Sequence, residues 1–238
     1  MTVLSKLDPI FLTTRETFPG EKSFADLAEG FFASGAHDER AALVRGAYES
    51  GGVLVHMANP EQVDDLFAHI ARETRVRYLS TSYLHRDITA TVYAIGRGTG
   101  LLLDASKVKI EHISTTDSDT VTDAHGNLVV SNSAVVPTMD ALHDALVKRP
   151  QGEWSEVNVS FEGPAPLVGF FALDGVMSKI YASALFVKAG RRLPIFVYNR
   201  EANTLTEFTP TVETLTQLIE AVPAPALREH YRSLLPLL

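Results

Sequence analysis

The chain has 238 residues, 45% of them hydrophobic and 21% charged, with a formal net charge of -8 and no cysteine. That is ordinary globular composition, long enough for one large domain. The acidic balance argues against nucleic-acid binding by bulk electrostatics, and the lack of thiols excludes disulfides, a thiolate zinc site and a cysteine nucleophile.

Met1 to Gly20 shows no basic start followed by an apolar run, so no cleavable signal peptide is expected. The apolar stretches are too short to span a bilayer, so membrane insertion is not expected either. A cysteine-free chain suits the cytosol, and equally a protein that must unfold to be secreted into a host cell.

Pro9 and Pro19-Gly20 break an irregular lead. Ser23 is placed to cap a helix with Phe24, Leu27, Ala28 and Phe31 on its apolar face, and Asp38 to cap another over Glu39 to Glu49, stopped by Gly51-Gly52. Val53 to Met57 reads as a buried strand. Asn59, Pro60 and Gln62 then form an N-terminal helix signature, and Val63, Leu66, Phe67 and Ile70 recur at helical spacing, which predicts a helix to about Glu73. Val76 to Ser80 is expected as a strand and His85 to Ile95 as a helix.

Beyond Gly100 strands dominate the expectation: Leu101 to Asp104, Val108 to Ile113, and a hairpin of Thr120 to Thr122 with Leu128 to Val130. Thr138 is placed to cap a helix through Val147. On the next strand Ser155, Val157, Val159 and Phe161 share one face, and Glu156, Asn158 and Ser160 the other, which reads as the solvent side. Leu167 to Leu173, Ser178 to Val187 and Leu193 to Tyr198 are read as further strands, with Arg191-Arg192 as a solvated hairpin turn. Two helices, Val212 to Ala221 and Ala224 to Leu235, close the chain around Pro223. The pattern is α+β in one domain: a helical lead over 1–50, a strand-rich core over 51–200 and closing helices over 201–238.

Several motifs are incomplete. Gly96-Arg-Gly-Thr-Gly100 lacks the lysine of a phosphate loop, and His85-Arg86-Asp87 lacks the other parts of a kinase. The eight histidines show no metal-binding spacing, so no metal site is expected.

One constellation is fuller. Leu-Val-His56-Met-Ala ends a strand, a helix follows, and Tyr78-Leu-Ser80-Thr81-Ser82 ends the next strand before Gly98-Thr-Gly100-Leu-Leu-Leu. This order resembles the first half of the ADP-ribosyltransferase fold of diphtheria-type toxins. The resemblance implies a mixed central sheet that holds NAD as a substrate and transfers ADP-ribose to an acceptor, expected to be a protein, as a bacterial toxin or effector would. It implies that His56 holds the nucleotide, that Ser80, Thr81 and Ser82 order the site, and that Tyr78 or Tyr83 packs on nicotinamide. A carboxylate must stabilise the oxocarbenium-like centre. Glu156 is the candidate, with Glu111, Glu162 and Glu153 as rivals, because the usual Glu-x-Glu or Gln-x-Glu spacing is missing. Two other classes stay open: a non-catalytic effector or adaptor that binds a partner protein, and a hydrolase or transferase with a Ser-His-Asp set assembled across the fold.

Overall fold

A computed structural model describes residues 37–58, 75–88, 98–116, 120–122, 128–130, 134–148, 155–162 and 166–238. The expected helices after Ser23 and over Asn59 to Glu73 lie outside these residues. In chain order the elements are α1 (His37–Ser50), β1 (Val53–Ala58), β2 (Arg75–Leu84), β3 (Thr99–Leu103), β4 (Lys109–Ser114), β5 (Thr120–Thr122), β6 (Leu128–Val130), α2 (Met139–Val147), β7 (Glu156–Glu162), β8 (Leu167–Leu173), α3 (Val176–Lys188), β9 (Ile195–Asn199), β10 (Thr204–Phe208), α4 (Val212–Glu220) and α5 (Pro225–Arg232). The architecture is α+β. Eight strands form one mixed sheet in the order β10-β9-β8-β3-β1-β2-β7-β4, and β5 and β6 pair separately.

Helices cover both faces of the sheet. On one face Leu54, Leu101, Leu103, Phe170, Ile195 and Val197 meet Leu142 and Leu146 of α2 and Leu185 and Phe186 of α3. On the other, Val53, Val55, Leu102, Phe171 and Phe196 meet Ala41, Val44 and Tyr48 of α1. The alternation along β1 and β3 is therefore apolar on both sides, as expected of strands in the middle of a layered domain. A third layer forms where Ile180 and Ala184, on the back of α3, pack against Leu215 and Ile219 of α4 and Tyr231 of α5.

The stretch Ser178 to Val187 corrects an expectation, because it is helix and not strand. Its run of apolar residues is explained by burial on two sides, against the sheet and against α4 and α5. Such a helix loses the polar face that would mark its period. The topology also demands it: β8 and β9 are parallel neighbours, and parallel strands need a crossover between them. Arg191 and Arg192 are exposed, but they close this crossover and do not turn a hairpin. Residues 85–88, expected to start a helix, instead form a tight turn closed by an isolated bridge between His85 and Ile88. The 201–238 segment opens with β10, an unexpected strand paired to β9, before its helices.

The ladder between β1 and β2 is short. It runs from Val53↔Leu84 to Val55↔Ser82 and then stops, whereas β2 continues alongside β7 and β1 alongside β3. The sheet thus divides between its two motif-bearing strands, at the position of His56.

Candidate functional site

His56 alternates with Val55 and Met57 onto the face of Leu54, and it is half-buried. Its Nδ1 lies 2.6 Å from the carbonyl oxygen of Ser80. A carbonyl only accepts, so Nδ1 carries the proton and donates, and in the neutral ring Nε2 is the acceptor nitrogen. The imidazole bonds to β2 just beyond the last paired residues. The strand behind it is held close by Gly100, opposite Met57, where a Cβ would lie 2.5 Å from the His56 carbonyl oxygen.

The hydroxyl cluster divides by the pleat. Thr81 is buried and its Oγ1 donates to the carbonyl of Val157 at 2.6 Å, so it fastens β2 to β7. Ser80 sits opposite Asn158, and the same register carries Ser82 opposite Glu156. Across β7, β4 supplies His112 opposite Asn158 and Ser114 opposite Glu156. Two rows of polar side chains result on one face of the sheet, Ser82–Glu156–Ser114 and Ser80–Asn158–His112. The opposite face of these strands is occupied by Thr81, Leu79, Val157, Val159 and Ile113.

This arrangement corrects the expectation that Glu156 faces solvent. Glu156 is only 4% exposed, and Ser82, Asn158 and Ser114 are buried with it. Burial lowers the pKa of His112, opposed in part by attraction to the Glu156 carboxylate. Among the described residues, Nε2 of His112 and Nδ2 of Asn158 are buried without a hydrogen-bond partner. Buried polar atoms without partners are uncommon, because each forfeits its hydration.

The rival carboxylates are placed differently. Glu111 on β4 pairs with Lys109 at 2.8 Å and accepts from Ser160 Oγ at 2.5 Å. Glu162 is exposed at the far end of β7, opposite Arg75, and Glu153 lies outside the described residues. Tyr78 belongs to β2, but its side chain lies outside the described set. Tyr83 is buried on the face of Leu54, away from Glu156. Burial first, then Asp140 and Asp87, push its phenol up to about 12. Its ring rests on Gly52, whose φ of 81° and missing Cβ leave room for it; a Cβ there would lie 1.9 Å from the ring.

The structure therefore gathers Ser80, Ser82 and Glu156 on one face, and it places the His56 side chain on the opposite face, that of Leu54 and Tyr83, where it meets the backbone carbonyl of Ser80. It likewise separates Thr81 and Tyr83 from the face of Glu156. His112, Asn158 and Ser114 were not singled out by sequence reasoning; the signal for Asn158 was the polar alternation of β7, read there as a wet face, while His112 and Ser114 lie on β4 and come beside it only through the register. No protein-family model matches the chain, and no curated protein matches it.

Proposed function

We propose that the chain is a mono-ADP-ribosyltransferase that uses NAD, with Glu156 as the carboxylate beside the breaking bond. The observation that carries this reading is the adjacency of β1, β2 and β7 in the sheet, with Glu156 buried opposite Ser82. The strands bearing the histidine, the hydroxyls and the glutamate are consecutive neighbours, although residues 57–155 separate the histidine from the glutamate in sequence.

In this reading the bond between the nicotinamide nitrogen and C1′ of the ribose breaks, and nicotinamide departs with the bonding electron pair. Positive charge develops on the ribose, and the Glu156 carboxylate stabilises it before the acceptor attacks C1′ and loses its proton. Ser82 orients the carboxylate. Asn158 and His112 offer their unpartnered nitrogens to ribose or amide oxygens. His56 acts as a positioning residue, since its Nδ1 proton is held by the Ser80 carbonyl. The acceptor is proposed to be a protein, as the resemblance to toxins implies.

Nicotinamide release from NAD tests the reading. Glu156→Gln is expected to lower kcat by at least about a hundredfold with KM for NAD little changed, as for loss of one group aimed at developing charge. His56→Ala is expected to lower it less and to raise KM. Unchanged turnover in Glu156→Gln overturns the assignment of Glu156. If the wild-type protein neither binds NAD nor releases nicotinamide with acceptor proteins present, the whole reading fails and the partner-binding alternative takes its place.

A further inference from the structure

At the end of β2, His85 and Asp87 meet His143 of α2, and one ligand atom from each lies within 4.8 Å of the other two. The two imidazole rings are 4.4 Å apart at their centroids and nearly perpendicular, at 80°. We propose that these three side chains bind a divalent first-row transition-metal ion, with Zn2+ the first candidate. The site does not depend on the nucleotide reading above.

The donor set fits. Two imidazoles and one carboxylate, with no thiolate, suit zinc and its neighbours, and three protein ligands leave a position for water. Bonds of about 2.0–2.2 Å bring ligand atoms closer to one another than the separations seen here, so side-chain rotation of the exposed Asp87 must complete the site. In the turn the backbone N–H of Asp87 donates to Nδ1 of His85 at 3.1 Å, so the ring must give up this bond to offer a lone pair to the ion. The Tyr83 hydroxyl lies 3.3 Å from the Gly51 carbonyl and 3.4 Å from Nδ1 of His143, in the role of an outer partner that orients a ligand ring.

His85 is only 5% exposed and its ring touches that of His143, so the two imidazoles already converge. The Arg86 guanidinium pairs with Glu49 at 2.5 Å and lies 3.5 Å from the Asp87 carboxylate, so the ion must draw Asp87 away from it. The ion would tie the turn after β2 to α2, two segments that are more than fifty residues apart in the chain.

The test uses untagged full-length protein dialysed against a chelator and titrated with Co2+. One equivalent is expected to produce d–d absorption bands that Zn2+ then abolishes. Zn2+ is expected to raise the melting temperature of the wild type. His143→Gln and Asp87→Asn, both at positions not fully buried, are each expected to weaken Co2+ binding by at least about tenfold and to reduce the thermal shift. Far-UV circular dichroism of these variants reports their folding. The proposal is overturned if the wild type shows neither bands nor thermal shift, or if both variants titrate as the wild type does.

Discussion

Glu156 and His56 illustrate how neighbours redefine a residue. On its own strand Glu156 alternates with valines and reads as a solvent-facing carboxylate. It is nevertheless only 4% exposed, on β7 between β2 and β4. His56 reads as a ligand residue from its place at a strand end, yet the hydrogen bond to Ser80 makes it a brace between two strands. That brace depends on how closely β3 approaches. Gly100→Ala would set a Cβ at 2.5 Å from the His56 carbonyl, a backbone atom that can yield only if the strands shift. We expect the variant to lose about 1–3 kcal/mol of stability, the usual range for overpacking, and to alter the histidine environment. Urea denaturation and the His56 ring resonances in NMR would show both effects; unchanged resonances would mean that β3 does not position His56.

The elements with their own end signals were the legible ones. Thr138 accepts from the Ala141 N–H as its cap, and the predicted helix to Val147 forms. Thr211 and Thr214 exchange side-chain and backbone hydrogen bonds in a capping box at the start of α4. Thr211→Ala is expected to cost about 1 kcal/mol, measurable as a lower urea midpoint with an unchanged slope. Elements whose identity depends on the layers around them were illegible. The α3 segment has no polar stripe because it is covered twice, and its N-cap, Gly175, makes no side-chain capping bond. β10 was missed because Glu207 interrupts its short apolar pattern, and that residue is engaged instead by Arg45 of α1 at 2.5 Å. The candidate site suffered the same way: the sequence marks Ser80, Ser82 and Glu156 individually, but only the register brings His112 and Asn158 beside them.

At the scale of the whole molecule, two of the described imidazoles contribute to the response to acid. His85 and His112 both have lowered pKa values, caused first by burial, with the neighbouring His143 adding to the effect at His85 and the Glu156 charge opposing it at His112. An unfolded histidine titrates at about 6.5. Below that pH the unfolded chain binds more protons than the folded one, so folding weakens as the pH falls. The contribution is intact above about 6.5, is eroded below it, and is gone once the pH passes the lower folded values. The urea midpoint is therefore expected to drop between pH 7.5 and pH 5, and His112→Gln to flatten part of that drop. A midpoint insensitive to pH across this window would exclude the effect.

The early divergence of β1 from β2 has a consequence for assembly. The last strand contact between them is at Val55 and Ser82, and β7 completes the layer only by pairing residues such as Thr81 and Val157 across long intervening chain. Closing such loops is entropically costly and slow compared with local contacts. During synthesis the histidine and hydroxyl strands emerge well before the glutamate strand exists. A nascent chain that has reached α2 lacks the carboxylate, so under the proposed chemistry it is inert until β7 joins the sheet.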